Sequence, residues 1–299
     1  MTSIKKINLD HLVGMEVGTA TLLNEIARGG MAAVFLAYQR TLKRQIAVKI
    51  LPKSILSPQA PGRFQQEAEA SAILQHPNIV QIYEVGETSE FLFFTMQYIK
   101  GISLFDSIKN AKRHVLPSKR ILPIKFSISI IIKVLDALEY AHEQGTIHRD
   151  IKPANILLEG EKKWPILTDF GLARVEGADN QGPETIRGTP IYMPPEQIMK
   201  KKDVDARADI YSTGTMLFEM LVSYLPFPKV ASSKELLMKK LELRDALFQQ
   251  RPSEINPDVD RELEEIVLKA ISFERDKRFA TSREFYGRLE DYLNSTPDL

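Results

Sequence analysis

The 299-residue sequence contains no cysteine. That excludes a disulfide scaffold, a cysteine-ligated zinc site and a thiol nucleophile together, and it fits a reducing, cytoplasmic compartment. Charge of one sign is also lacking: 40 basic side chains face 39 acidic ones, for a net charge of +1. Nothing in that balance draws the chain bodily to nucleic acid or anionic lipid. Glycine (15) and proline (17) are modest and follow no period, which excludes collagen-like and low-complexity classes. Long apolar runs are missing too. The greasiest stretch, Ile121–Leu138, is interrupted by Pro123, Lys125, Lys133 and Asp136. It falls short of the roughly 20 apolar residues a membrane span needs, so it reads as a buried helix. Met1–Leu12 carries Lys5 and Lys6 without the apolar run of a signal peptide. What is present is ordinary globular material, 43% hydrophobic and 26% charged, enough for one large domain or two small ones.

Along the chain the hydrophobic period changes once. Ala20–Ala27 and Ala32–Tyr38 are β-rich and flank Gly29-Gly30, and Ile46–Leu51 is a third apolar run ending at Pro52. Arg63–Leu74 has helical spacing, with Phe64, Ala68, Ala72 and Ile73 on one side, and Pro77 closes it. Ile79–Val85 and Phe91–Tyr98 suggest a hairpin around Gly86–Glu90. Beyond Gly101 the pattern turns helical: Ile124–His142, Ile210–Leu221, Glu262–Ala270 and Arg283–Leu293. The expectation is an α+β fold, with a small antiparallel β lobe bearing one main helix over residues 1–99. A larger, mainly helical lobe follows over 100–299. A crevice between two such lobes is where a ligand is expected.

Four stretches bear chemistry. Ile26-Ala27-Arg28-Gly29-Gly30-Met31-Ala32-Ala33-Val34 joins two strands through small residues, so backbone N–H groups can approach phosphates closely. Alone, it reads more simply as a hairpin turn. In Ala47-Val48-Lys49 an inward ammonium can pair with phosphate oxygens. Glu67 on the nearby helix is the carboxylate placed to orient it; Glu69 lies about 200° further round. Alone, Lys49 reads as a surface lysine. His148-Arg149-Asp150-Ile151-Lys152-Pro153-Ala154-Asn155 gathers an acid, a base and an amide in eight residues. Pro153 keeps Lys152 out of a helix, making this a shaped loop. It suits a polar surface loop poorly, because Ile156-Leu157-Leu158 follows as an apolar strand. In Thr168-Asp169-Phe170-Gly171 a carboxylate precedes an aromatic and a glycine, which suits a metal ligand at a mobile junction as well as a plain turn.

In this order the four stretches resemble a eukaryotic-type protein kinase, and their wording is most similar to bacterial serine/threonine protein kinases. The resemblance runs from about Leu22 to Leu293 and takes in Gly188–Glu196, Asp209–Gly214 and Arg278. It implies ATP as phosphoryl donor, Mg²⁺ (with Mn²⁺ as a substitute) and protein substrates bearing Ser or Thr hydroxyls. By the resemblance Asp150 is the base, Asn155 and Asp169 hold metal, and Lys49, paired with Glu67, meets the phosphates. Lys152 and Thr189 match serine/threonine kinases. The adenine site implied is Val34 and Ala47 above, Leu157 below and Met96 behind. Backbone groups of Gln97 and Ile99 would read the adenine edge, and Ile26, Ala27, Gly29 and Gly30 form the phosphate loop. Glu196 and Arg278 resemble a buried pair, and Asp209 resembles a support beneath the catalytic loop. A pseudokinase scaffold and a small-molecule kinase are the competing classes.

Three departures stand out. The glycine loop is Ala27-x-Gly29-x-x-Ala32, keeping only the middle glycine. Pro194 replaces the alanine of A-P-E, and Ala154 stands where some basophilic kinases carry a substrate-binding glutamate. Met1–Val17 precedes the first strand and Asn294–Leu299 follows the last helix, so little room for other modules is expected at the two ends, and transient self-association is expected from the family. Arg149 before the base suits regulation by activation-segment phosphorylation. Between Gly171 and Gly188 the only hydroxyl residue is Thr185, with Glu184 beside it as a fixed negative charge. Phosphopeptide mapping of active protein is expected to find phosphate on Thr185, and Thr185→Ala to lower activity; an empty site with full activity in the variant refutes this.

Overall fold

A computed structural model describes residues 9–29, 32–55, 64–65, 68–69, 71–170, 190–199 and 203–296. They fall into two compact units. The first holds the described residues up to Gln75 together with Val80–Ile99, and the second holds His76–Ile79 and those from Lys100 onward.

The first unit is built on six strands: β1 (Glu16–Val17), β2 (Ala20–Arg28), β3 (Ala33–Gln39), β4 (Arg44–Pro52), β5 (Ile82–Glu87) and β6 (Phe91–Gln97). They form one antiparallel sheet in the order β1-β2-β3-β4-β6-β5. Side chains alternate across a sheet, and the register divides this one cleanly. Phe35, Val48, Ile50 and Phe93 enter a core with Leu12, Val17, Leu22 and Ala33. Val34, Ala47, Lys49, Phe94 and Met96 fall on the opposite face, because Val34 and Phe94 pair with Lys49 and Met96 pairs with Ala47. Phe64, from the helical residues 64–65, 68–69 and 71–72, packs its ring 5.8 Å from that of Phe94. The expected strand at Ile79 begins instead at Ile82. Ile79 makes a lone parallel bridge to Leu167 in the second unit, where Asn78 also accepts from the Leu167 N–H.

In the second unit a three-stranded sheet, β7 (Gly101–Ser103), β8 (Ile156–Glu159) and β9 (Trp164–Leu167), lies in the order β7-β8-β9. Only glycine fits at Gly101, since a Cβ there would lie 1.9 Å from the Leu158 carbonyl oxygen. The helix Ile124–Glu143 buries the apolar repeat Ile128, Ile131, Leu135 and Leu138. The helix Arg207–Val222 is buried on nearly every side, its polar Asp209, Ser212 and Thr215 included. Gly214 lets it approach the helix Arg261–Ala270, because a Cβ there would lie 2.6 Å from Ala270 Cβ. Two helices absent from the sequence expectation, Leu104–Lys112 and Ser233–Leu243, are capped by Ser103 and Ser232, whose hydroxyls accept the N–H of Asp106 and Glu235. Among the described residues no helix is long and apolar enough to cross a membrane.

Two buried cations organise this unit. Arg278 donates through Nη1 and Nη2 to Glu196 at 2.7 and 2.9 Å, the pairing the resemblance implies. Its other donors reach the carbonyls of Ser272, Arg207 and Phe273, so all five guanidinium N–H bonds are used. Lys240, 1% exposed, donates to the carbonyls of Ile191 and Met193. Burial pulls its ammonium down to about 7. An unfolded chain keeps that proton up to its ordinary value near 10.5, so between these values the unfolded state binds more protons and stability rises with pH. Urea titrations from pH 7 to 10 are expected to show wild-type stability gaining up to about 1.4 kcal/mol per pH unit over Lys240→Met. Parallel curves for the two proteins overturn the assignment.

Candidate active site

The loop His148–Asn155 leaves the long helix Ile124–Glu143 and enters β8. Lys152 is extended (φ −162°, ψ 160°), as a residue before proline must be, and Pro153 opens a single 3-10 turn to Asn155. Arg149 adopts φ 67°, a left-handed conformation that costs a non-glycine residue about 1–3 kcal/mol and persists only where its surroundings enforce it. The enforcing group is Asp209, fully buried in the first turn of the helix Arg207–Val222. Its carboxylate accepts from the backbone N–H groups of His148 (2.9 Å) and Arg149 (2.8 Å) and pairs with His142 Nε2 at 2.8 Å. Burial pushes this carboxyl up, but the His142 hydrogen bond and charge, then the Arg149 N–H, outweigh it and hold the carboxyl below its ordinary range.

His148 is itself buried. Its Nδ1 accepts from the Asp150 N–H at 3.3 Å, which leaves the proton on Nε2 to reach the Thr168 carbonyl at 2.8 Å. Its ring lies 4.6 Å from that of Phe170. Thr168 returns both its N–H and its hydroxyl to the Asn155 carbonyl, at 2.9 and 3.1 Å. The stretches around Asp150 and Asp169 are thereby joined. Asp169 takes φ 64°, a second left-handed non-glycine residue.

Asp150, Lys152 and Asn155 meet. Lys152 Nζ lies 2.6 Å from Asp150 Oδ2, and Asn155 Nδ2 reaches the same oxygen at 3.1 Å and the Asp150 carbonyl at 2.8 Å. Among the described residues both side-chain partners of the Asp150 carboxylate sit on Oδ2 and neither on Oδ1. With Nδ2 committed, Asn155 keeps its amide oxygen as a ligand atom.

The other sequence candidates lie in the first unit, apart from Leu157, which is half-buried on β8 opposite Ile166. Ile26 is exposed and Ala27 pairs with Val34 across β2 and β3. The Gly29 N–H closes the turn onto the Ala32 carbonyl at 2.8 Å. Lys49 is half-buried, its Nζ 5.9 Å from the Phe94 ring centre. Ala47, Met96 and Ile99 are buried. The Gln97 N–H is taken by the Gln81 carbonyl, so only its carbonyl remains to read a ligand edge. Gly30, Glu67, Thr185 and Thr189 lie outside the described residues.

The segment from Pro190 to Met199, which takes in most of the Gly188–Glu196 match with its Pro194 and Glu196, is held through its backbone. Ser212 Oγ donates to the Tyr192 carbonyl at 2.9 Å, and the Tyr192 hydroxyl donates to Glu219, which also pairs with Lys112 at 3.2 Å. Burial and then the Glu219 charge raise the Tyr192 phenol above its ordinary range, so it stays a donor. Pro194 sits at φ −72°, a value proline adopts without strain, which explains how it replaces alanine there. Gln197 Nε2 donates to the Arg149 carbonyl at 3.1 Å, tying this segment to the loop of Asp150.

Comparison with known sequences matches residues 20–286 to the protein kinase domain model. The chain belongs to the protein kinase family. The kinase domain is 35% identical over 280 residues to the "Probable serine/threonine-protein kinase SCO3848" of Streptomyces coelicolor, covering 91% of this chain and 39% of that protein. It is 34% identical over 295 residues to the "Tyrosine-protein kinase MasK" of Myxococcus xanthus, covering 93% and 43%. The chain therefore spans about two fifths of the length of these curated relatives. Its fold is that of the Mycobacterium tuberculosis PknI kinase domain (TM-score 0.74, 25% identity, covering 94% and 98% of the two chains). The small antiparallel sheet and the larger helical unit are thus a protein-kinase α+β fold.

Asp209 touches no reacting atom in this arrangement; it shapes the loop that holds Asp150. Asp209→Asn turns one acceptor into a donor against a backbone N–H. The variant is expected to lose about 1–3 kcal/mol of stability and on the order of 10²-fold in kcat, with KM for ATP much less affected. Unchanged turnover in the folded variant contradicts that role.

Proposed function

We propose that residues 1–299 form one catalytic domain, an ATP-dependent protein kinase acting on Ser and Thr hydroxyls of protein substrates, itself included. The observation that carries this reading is the convergence of Lys152 and Asn155 on one oxygen of Asp150. A carboxylate so held is oriented and keeps its second oxygen for a hydroxyl.

The chemistry follows from these groups. Asp150 Oδ1 receives the substrate hydroxyl proton, the hydroxyl oxygen bonds to the γ-phosphorus, and the bond to the bridging oxygen of ADP breaks. Lys152, beside the same carboxylate, neutralises charge on the group in transit. Lys49, with Glu67 to orient it, is assigned to the α- and β-phosphates. Val34, Ala47 and Met96 share its face of the first sheet and are assigned to the adenine.

The family uses a divalent metal, and the donor set here fits Mg²⁺. Asn155 and Asp169 offer one amide and one carboxylate oxygen, a hard and incomplete set of the kind Mg²⁺ completes with substrate phosphates and water. Among the described residues no group of three or more His, Asp or Glu makes a self-sufficient metal cage. When bound, the ion supplies charge neutralisation at the phosphate oxygens; the residues here hold and orient. Lys152 favours Ser/Thr over Tyr acceptors, a preference that phosphoamino-acid analysis resolves.

Radiolabelled ATP with magnesium and a generic protein substrate tests the reading. Wild type is expected to incorporate label into Ser and Thr, and Asp150→Asn to lose about 10²-fold or more. Equal incorporation by both, or none by either, sinks it.

A further inference from the structure

Three consecutive carbonyls, those of Ile191, Tyr192 and Met193, lie outside any helix or strand, and each accepts from a side chain of a helix beneath. Buried backbone acceptors must find partners, and here the ladder of a regular element is replaced by Ser212 and Lys240. Ser212 serves the middle carbonyl. Lys240 serves the outer two, at 2.5 and 2.9 Å. Its Nζ also lies 5.3 Å from the Tyr211 ring centre and 5.7 Å from that of Phe227, so aromatic faces flank the charge.

A buried ammonium is a costly way to satisfy two carbonyls. Apolar side chains of similar volume often serve stability as well or better. What lysine adds is geometry: one nitrogen bonded to residues two apart fixes the turn between them. That turn is connected to the chemistry at its far end, where Gln197 holds the Arg149 carbonyl and Arg278 holds Glu196.

We propose that Lys240 is a positioning residue for protein-substrate recognition, clamping the Ile191–Met193 backbone into the surface on which a substrate peptide lies in register with Asp150. This rests on the kinase reading above. The clamp does not depend on the charge state, since ammonium and amine alike carry enough N–H bonds for both carbonyls. Lys240 touches neither ATP nor the transferred group, so its loss acts on the peptide.

The test compares wild type with Lys240→Met, using myelin basic protein as phosphoryl acceptor. The variant is expected to raise KM for this protein about five-fold or more, with KM for ATP and kcat at saturation within about two-fold. Hydrogen exchange is expected to quicken at the amides of residues 191–193 and to stay unchanged at 148–155. Should the variant fail to fold, Lys240→Gln, which keeps N–H donors on a shorter stem, goes through the same measurements. An unchanged KM for myelin basic protein overturns the proposal, and so does a parallel decline in kcat and ATP affinity, the mark of general damage. If wild type itself transfers no label, the kinase reading falls and this proposal with it. Normal wild-type turnover with an unaffected variant removes this proposal alone.

Discussion

The Asp209 carboxylate is the constraint on which the site depends. A carboxylate fully withdrawn from water is costly to bury, and it is tolerated here because its partners are complete. Two successive backbone N–H groups of the catalytic loop and one imidazole point at its two oxygens. The bonds to His148 and Arg149 force Arg149 into its left-handed backbone, and that reversal aims the next residue, Asp150. The imidazole belongs to His142 near the end of the helix Ile124–Glu143, and its Nδ1 meets Ser282 Oγ at the start of the helix Ser282–Ser295. One carboxylate thus ties three helices to one loop. A loop alone would sample many shapes; a loop pinned at two adjacent amides holds its acid to within a narrow arc.

The same device recurs with opposite sign. Arg278 and Lys240 are buried cations whose N–H bonds end on backbone carbonyls as well as on carboxylate. Each converts irregular backbone into fixed structure. Exposed pairs such as Arg261–Glu265, with 90% and 61% of their side chains accessible, do nothing comparable. In water such pairs are worth a few tenths of a kcal/mol. The second unit is therefore organised less by the number of its charges than by the few that water does not reach, among them Asp209, Lys240 and the Arg278–Glu196 pair.

Much of this is legible in the sequence alone. The eight residues His148–Asn155 carry their chemistry in their spacing, and the proline within them announces a fixed loop. The alternation of β4 placed Lys49 and Ala47 on one face, because a strand's period of two allows no other outcome. Other parts were hidden for definite reasons. The helix Ser233–Leu243 has a weak apolar repeat and is betrayed only by its cap, Ser232 with Glu235 three residues on. Lys240 looks like any surface lysine in sequence, since burial is a property of neighbours distant along the chain. The left-handed Asp169 carries no compositional sign, because glycine follows it rather than occupying the position.

The two missing glycines are the main departure from the family pattern, and part of their consequence can be read from the described backbone. Glycine is indispensable where φ is positive or where a Cβ would collide. Ala27 lies in β2, paired with Val34, in extended backbone that alanine adopts freely. Ala27 has no positive φ. The turn is closed at Gly29, the glycine that is kept, by its own N–H on the Ala32 carbonyl. A Cβ at Gly29 would meet only that carbonyl oxygen, at an ordinary 3.6 Å. What the alanines add is one methyl group each, and at Ala27 the extended strand accepts it without strain. The departure is confined to the turn between β2 and β3 in the first unit, while the hydrogen-bonded set of Asp150, Lys152 and Asn155 lies in the second.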